Sequence, residues 1–364
     1  MRPLITLAIV SAVTLCIGLF AGSLWHDRMP WSSADMFSDT PLGDLVETIE
    51  PERPLERYTF QTLRTETFEP AHVAITEELA TNPDFTSYLV MIQTLDKTMS
   101  GQLNIPTEVT DDTPVIIMLR GYVSPDIYFT GLGTRNGAAE YARAGYITLA
   151  PDFFGYGQSD PEPEDSWQAR FEKPIIVAEI LNGVRELGVP TTNGSHATDR
   201  IGLWGHSNGG QIALSVLEIL QEPIPATLWA PVTAPFPYSV LFFTIDHDDD
   251  GRGMRLWINQ LESIYDLHNF SITRHLDGLR GPLMIHHGSG DDAALLDWSR
   301  RFANLVDEEN ERRESLISTA SAELAVPEPI GFTLHTYPGA DHNLQPGWNT
   351  VVERDILFFD RHLK

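Results

Sequence analysis

Cysteine and lysine are the scarcest residue types in this chain of 364 residues. The one cysteine, Cys16, lies in an apolar N-terminal segment, so the rest of the chain can form no disulfide, thiol nucleophile or cysteine zinc site. The three lysines are Lys97, Lys173 and Lys364, and the formal net charge is −27. A charge of that sign repels nucleic acids and anionic surfaces. We therefore expect no nucleic-acid partner and a fold stabilised by packing.

The common phosphate- and metal-binding motifs are also missing. No glycine-rich loop ends in Gly-Lys-Ser or Gly-Lys-Thr. In GLGTRNG, residues 131–137, the third glycine comes one position late and no strand directly precedes it, which argues against a dinucleotide site. DHDDDG, residues 246–251, imitates a calcium loop, but Trp257 stands where a bidentate glutamate is needed. A solvated acidic turn is favoured over a weak cation site with Glu262, and we expect no cofactor and no metal.

The N-terminal segment differs from the rest of the chain. Residues 4–25 are 22 residues without a charge, long enough to cross a bilayer. An uncleaved anchor over residues 1–25 is favoured, because the apolar core of a signal peptide is only about 7–15 residues long. Cleavage of a signal at Ala21-Gly22-Ser23, followed by secretion, is the alternative. Arg2 predicts that the N-terminus is inside and the remainder is extracytoplasmic.

From about Phe85 onward, strand-like runs alternate with helix-like runs. Short strands that alternate with helices predict an α/β fold, with a mainly parallel twisted sheet covered by helices on both faces. The first two strands, joined near Asp96-Lys97, predict an antiparallel hairpin at one edge. The predicted strands are residues 85–95, 100–106, 114–119, 146–152, 200–204, 226–231, 282–287 and 331–338, and the main helices are 138–145, 175–187, 211–220 and 350–363.

Three further stretches complete the predicted organisation. Residues 26–41 form a linker and residues 42–84 an N-terminal extension whose role is open. Residues 232–280, between the sixth and seventh predicted strands, contain the helix-like run RLWINQLESIYDL. An insertion of that length is usually a functional cover, so we interpret it as a lid. A structural elaboration without substrate contact is the alternative. Residues 308–328 are interpreted as a helix end and a surface loop.

GHSNGG, residues 205–210, lies between a buried-type strand and an amphipathic helix. A Gly-x-Ser-x-Gly pattern in this context indicates a nucleophile elbow, in which small residues let the backbone double back beneath the serine. Ser207 is the candidate nucleophile. A glycine-rich structural turn is the simpler alternative.

Such a serine needs a base and an acid that orients it. His342 follows a predicted strand and a Pro-Gly turn, and it is the candidate base. Asp291, at the end of the strand-like run GPLMIHH, is the preferred acid, and Asp292 and Asp341 remain alternatives. The chain order Ser, Asp, His is that of the α/β-hydrolases. The remaining strand histidines, His286, His287 and His335, are interpreted as packing residues.

The oxyanion of an acyl-transfer reaction needs two backbone donors, one after the nucleophile and one after the third strand. The candidates are the N–H groups of Asn208 and Tyr122. An ordinary strand-to-loop turn is the alternative at Tyr122.

Four motifs in this order resemble the catalytic domain of the prolyl oligopeptidase family, within the α/β-hydrolase superfamily. They are APDFFGYGQSD (residues 150–160), GHSNGG (205–210), IHHGSGDD (285–292) and YPGADHN (337–343). The resemblance implies an α/β-hydrolase catalytic domain over residues 85–364, with the lid at 232–280. It also implies the roles above for Ser207, His342, Asn208 and Tyr122, and it places the acid four positions after His287, at Asp291.

The chain departs from that family in two respects. Arg120-Gly121 stands where the family usually has His-Gly, and residues 26–84 are too few for the β-propeller of its peptidases. The resemblance therefore implies a serine hydrolase acting on small esters or short peptides through an acyl-enzyme. Carboxylesterase-like activity is favoured over prolyl oligopeptidase-like activity. A non-catalytic surface binding protein on the same fold is the alternative of another class.

Overall fold

The computed structural model describes residues 52–245, 249–319 and 326–364. The predicted anchor and linker, with the first part of the predicted extension, lie outside these ranges. Asp246–Asp248 of the acidic turn lie outside them too. Within the described ranges, no helix has both the length and the apolar character needed to span a bilayer. The described residues from Arg53 to Lys364 form one compact unit.

A nine-stranded sheet runs through this unit in the order β1-β2-β3-β5-β4-β8-β9-β10-β11. The pairs from β5 to β11 are parallel, and the three pairs between β1 and β5 are antiparallel. The predicted mainly parallel sheet is confirmed. The strands are β1 His72–Thr81, β2 Phe85–Thr94, β3 Lys97–Pro106, β4 Val115–Leu119, β5 Ile147–Pro151, β6 Val189–Thr191, β7 Gly194–His196, β8 Ile201–His206, β9 Ala226–Trp229, β10 Leu283–Gly288 and β11 Phe332–Tyr337, with β6 and β7 forming a separate hairpin.

Helices cover both faces of the sheet, as predicted. In β4, Val115, Ile117 and Leu119 belong to the larger core and Ile116 and Met118 to the smaller one, because successive side chains of a strand point to opposite faces. The helices are α1 Phe60–Leu63, α2 Arg135–Arg143, α3 Ser166–Phe171, α4 Lys173–Glu186, α5 Asn208–Leu220, α6 Tyr238–Leu241, α7 Arg252–Glu262, α8 Leu296–Thr319 and α9 Trp348–Leu363. Helices α4 and α5 pack on the larger core, and α2 and α9 pack on the smaller one.

The predicted hairpin is formed by β2 and β3. Its turn residues, Leu95 and Asp96, have φ values of 51° and 57°, as expected for a two-residue turn whose twist matches that of the strands. The prediction that this hairpin lies at the sheet edge is wrong, because β1 pairs with the outer side of β2. Most residues of β1 are exposed, so its sequence carries little of the apolar alternation that identifies a strand.

Residues 53–84 are part of the folded unit. Leu55, Phe60 and Leu63 are buried in the larger core. Arg64 contacts both carboxylate oxygens of Asp277, at 3.0 and 3.1 Å, and donates from Nε to the carbonyl of Glu218 in α5 at 3.0 Å. The predicted domain start at residue 85 therefore falls between two paired strands, β1 and β2.

The predicted insertion lies between β9 and β10. It contains α6, α7 and short 3₁₀ turns, among them Leu267–Phe270. Phe270 packs on Phe171 of α3 with ring centroids 4.6 Å apart, so the insertion contacts the body of the domain. The charged stretch from Glu308 contains the end of a helix, as predicted, since α8 runs through it to Thr319. Glu309 bonds to Arg312 and Arg313 and stabilises this part of the helix.

Candidate active site

The candidate site lies where the strand order reverses. From β4 the chain forms β5 on one side and returns as β8 on the other, and ligands of such sheets bind beyond the carboxyl ends of the strands at that point. Gly121 follows β4, and Ser207 follows β8. A Cβ at Gly121 would lie 2.9 Å from the Cβ of Ser207. The loop after β4 therefore touches the candidate nucleophile.

Ser207 has the strained backbone expected of a nucleophile elbow. Its φ of 56° and ψ of −119° are unusual for a residue with a side chain. A Cβ at Gly205 would lie 2.7 Å from the carbonyl oxygen of Gly209, and a Cβ at Gly209 would lie 1.9 Å from that of Leu119. The two glycines of the motif are therefore required by close packing between β4, β8 and the start of α5.

His342 and Asp291 are hydrogen-bonded. Nδ1 of His342 donates to Oδ2 of Asp291 at 2.8 Å. The side chain of Asp291 is fully buried, and that of His342 is 21% exposed. A carboxylate on Nδ1–H holds the imidazole in the tautomer whose Nε2 can accept a proton.

Three hydrogen bonds and the close approach of His287 hold the Asp291 carboxylate. Oδ1 accepts the backbone N–H groups of Ala293 and Ala294, each at 2.9 Å, and Nε2 of His287 lies 3.2 Å from Oδ2. Burial by itself would raise the pKa of this carboxyl, but the hydrogen bonds from His287, His342 and Ala294 outweigh it and hold the pKa well below its usual range. Asp291 therefore remains ionised beside His342 at neutral pH.

The two alternative carboxylates lie differently. Asp292 is exposed, and Oδ1 of Asp341 accepts the backbone N–H groups of Asn343 and Gln345, each at 2.9 Å. Asp341 therefore shapes the loop that carries His342, while Asp291 contacts the imidazole itself.

The two candidate oxyanion donors flank Ser207 along the chain and across the sheet. Asn208 is the first residue of α5, and Tyr122 follows Gly121, which touches Ser207. Within the described part of the chain, neither backbone N–H has a hydrogen-bond acceptor. Both N–H groups therefore remain candidates for the oxyanion donors.

His206 is a site residue that the sequence reasoning missed. Its ring centroid lies 4.7 Å from that of His342, and its Nε2 donates to the backbone carbonyl of His342 at 2.9 Å. Burial, followed by the nearby His342, lowers its pKa to about 4. Its place beside Ser207 was the signal available in the sequence.

The strand histidines make packing contacts. His287 is buried, and its Nδ1 accepts from the Ser299 hydroxyl at 2.8 Å. His286 is buried beside Tyr337, with 2.7 Å between Nδ1 and the hydroxyl, and it stacks on His335. The packing interpretation holds for these residues, and His287 additionally supports Asp291.

A cavity of about 180 Å³ adjoins the elbow. Residues 58–63, 162–174 and 208–219 contribute to its wall, together with Phe270 of the insertion. Asn208 is therefore shared between the elbow and the cavity. Pockets that bury drug-sized ligands measure about 300–1,000 Å³, so this cavity accommodates one small group of a substrate.

The comparison with solved structures decides the fold. The structure is similar to acetyl xylan esterase 1 from Thermoanaerobacterium sp. JW/SL YS485, with a TM-score of 0.55 and 13% identity over 91% of this chain and 99% of that one. It is also similar to the Pyrococcus furiosus esterase Pf2001, with a TM-score of 0.52 and 16% identity over 82% of this chain and 99% of that one. The chain has the α/β-hydrolase fold. The resemblance to this superfamily is confirmed at the level of the fold.

The structure is also similar to dipeptidyl peptidase 4 from Porphyromonas gingivalis. The TM-score is 0.52 and the identity 17%, over 83% of this chain and 37% of the peptidase. No protein-family model and no curated protein sequence matches the chain. Esterases and a peptidase therefore share the fold of this chain, which suggests a hydrolase without selecting a substrate.

Proposed function

We propose that the protein is a serine hydrolase that cleaves carboxylic esters through an acyl-enzyme. The observation that carries the proposal is the hydrogen bond between His342 and buried Asp291, in a site where Ser207 has an elbow conformation. The three residues follow β8, β10 and β11. His206, which precedes Ser207 in the chain, contacts His342, and this proximity supports a shared site.

In the proposed reaction, Ser207 Oγ attacks the ester carbonyl carbon while Nε2 of His342 takes its proton. The carbonyl oxygen gains negative charge and is bound by the N–H groups of Asn208 and Tyr122. His342 then gives the proton to the departing alcohol, which leaves an acyl group on Ser207. A water molecule then attacks the acyl carbonyl carbon while His342 takes its proton. His342 returns the proton to Ser207 Oγ as the acid is released, which restores the serine. Asp291 stays ionised and stabilises the imidazolium in both halves.

A fluorophosphonate probe tests the nucleophile. We expect it to label the wild-type protein and the control Ser263→Ala, which changes an exposed serine, and to leave Ser207→Ala unlabelled. A folded wild-type protein that takes no label would refute the proposal and favour a non-catalytic binding protein.

A substrate panel separates ester from peptide hydrolysis. 4-Nitrophenyl acyl esters of graded chain length are compared with aminoacyl and Xaa-Pro 4-nitroanilides. We expect kcat/KM to be higher for the esters. Comparable values for the anilides would instead favour a peptidase.

We also propose, from the apolar run at residues 4–25, that the enzyme is extracytoplasmic and held at a membrane.

A further inference from the structure

The cavity beside Asn208 contains an arginine without an acidic partner. Arg170, in α3, donates from Nη2 to the Oε1 of Gln211 at 2.9 Å, and its guanidinium lies 5.9 Å from the ring of Phe236. Among the described residues, no carboxylate forms an ion pair with it. Partly buried arginines are normally paired with carboxylates. The guanidinium of Arg170 therefore has N–H donors that remain available to a ligand.

The other charges at this cavity do not neutralise Arg170. Lys173 and Glu162, which also line it, pair with each other at 3.3 Å between Nζ and Oε1. Glu172 lies outside the lining and accepts from Gln168. Burial lowers the pKa of Arg170 to about 10, which still leaves the guanidinium protonated at pH 7. The cavity therefore carries one net positive charge within a chain of net charge −27.

The same wall includes the start of α5. Asn208 and Gln211 are in its first turn, and the helix is 13 residues long. The amino end of a helix attracts negative charge. Arg170 and this helix therefore favour the same kind of ligand, in a cavity that touches the predicted oxyanion residue.

We propose that the cavity binds a carboxylate group of the ester substrate, with Arg170 as the residue that recognises it. The substrates are then esters that carry a free carboxylate on the part entering this cavity. The inference rests on the proposed hydrolase function. A guanidinium binds carboxylates and phosphates alike, but one net positive charge and a small volume match a singly charged carboxylate better than a doubly charged phosphate.

Pairs of substrates of similar shape test the proposal. Mono-4-nitrophenyl glutarate carries the carboxylate on its acyl side, and 4-nitrophenyl pentanoate is its neutral counterpart. 4-Acetoxybenzoate and 4-acetoxybenzamide form the pair for the alcohol side, and 4-nitrophenyl 4-phosphonobutanoate tests the phosphate-like alternative. We expect the charged member of one carboxylate pair to have the higher kcat/KM, and to exceed the phosphonate. A preference for the neutral member in both pairs, or for the phosphonate, would overturn the proposal.

Variants then assign the preference to Arg170. Arg170→Gln should reduce the charged-to-neutral ratio of kcat/KM by about 10- to 100-fold, the usual effect of a lost charge-assisted hydrogen bond, and Arg170→Lys by less. Gln211→Glu should also reduce it, because it places a carboxylate on the guanidinium. Arg301→Gln, at an exposed arginine paired with Asp297, should keep the wild-type ratio. An unchanged ratio in folded Arg170→Gln would contradict the assignment.

A binding measurement separates this inference from the proposed hydrolase activity. Calorimetry with glutaramate, a monoanion of similar shape that carries no ester bond, needs no ester turnover. Binding to the wild type that is lost in Arg170→Gln would support the carboxylate site even if no ester were hydrolysed. Absent or equal binding in the two proteins would refute it.

Discussion

Nε2 of His206 donates a hydrogen bond to the backbone carbonyl of His342 across 2.9 Å. This bond joins the residue before the candidate nucleophile to the residue proposed as its base. The loop after β11 is therefore attached to the end of β8 by one side chain, and the protonation of that side chain affects both.

The first prediction concerns the pH dependence of stability. The pKa of His206 is lowered to about 4, by burial first and then by His342, whereas an unfolded histidine titrates at about 6.5. Between these values the unfolded chain binds more protons, so the free energy of unfolding falls as the pH falls from about 6.5 toward about 4. His206→Gln keeps an N–H donor but does not titrate, and its loss of stability over this range should be smaller.

Urea unfolding at pH 7.0 and pH 4.5 measures this difference. His268→Gln, at an exposed histidine in the insertion, is the control and should lose as much stability as the wild type. Equal losses in His206→Gln and the wild type would contradict the prediction.

The second prediction distinguishes two adjacent carboxylates. Asp291→Asn places an amide beside Nδ1 of His342 and favours the tautomer whose Nε2 carries a proton. We expect kcat for an ester to fall by about 10⁴-fold, the loss seen when this exchange is made in a serine protease. Asp292→Asn changes an exposed neighbour and should retain kcat. Initial rates on a 4-nitrophenyl ester give kcat for the two variants. A loss of kcat confined to Asp292→Asn would identify Asp292, instead of Asp291, as the acid that orients His342.

The third prediction concerns the packing of the elbow. A Cβ at Gly209 would lie 1.9 Å from the backbone oxygen of Leu119, and backbone cannot move aside as a side chain can. Gly209→Ala should lower the free energy of unfolding by about 1–3 kcal/mol, the typical cost of overpacking. At Gly331, an added Cβ would make its nearest contact at 3.8 Å, with Pro282.

Gly331→Ala is therefore the matched control, and its change should stay within about 0.5 kcal/mol. Denaturant midpoints of the two variants provide the comparison. Similar stabilities for both would show that the close approach at Gly209 is not required.

The elements that local patterning could predict are those buried on both faces or bounded by strong turn residues. The apolar runs of β4 and β8 identify central strands, and the Gly-x-Ser-x-Gly spacing identifies the elbow at Ser207. β1 escaped prediction because only one of its edges is paired and its side chains, including Glu77 and Glu78, are largely exposed. Because most side chains of β1 face solvent, its sequence shows no alternation of apolar and polar residues.

The cavity could not be predicted, because its wall combines segments far apart in the sequence. Phe60 and Phe270 both line it, although more than 200 residues separate them in the sequence. Arg170 has no local signal at all, since its lack of a carboxylate partner is a property of the assembled neighbourhood. His206 was visible beside Ser207, but its bond to His342 depends on the sheet order that makes β8 and the later strands neighbours.

The candidate catalytic residues and the cavity wall come mostly from different segments of the chain, and this affects how the protein can evolve. Ser207, Asp291 and His342 follow strands of the sheet. Much of the cavity wall comes instead from residues 58–63, α3 and the insertion. The ion pair between Arg64 and Asp277 joins the first of these segments to the insertion. In the proposed hydrolase, the catalytic residues and much of the cavity wall are thus encoded in different stretches of the gene, which meet at the start of α5. Substitutions in the segments that form the cavity wall would then change which acid or alcohol the proposed hydrolase accepts, while the proposed reaction stays the same.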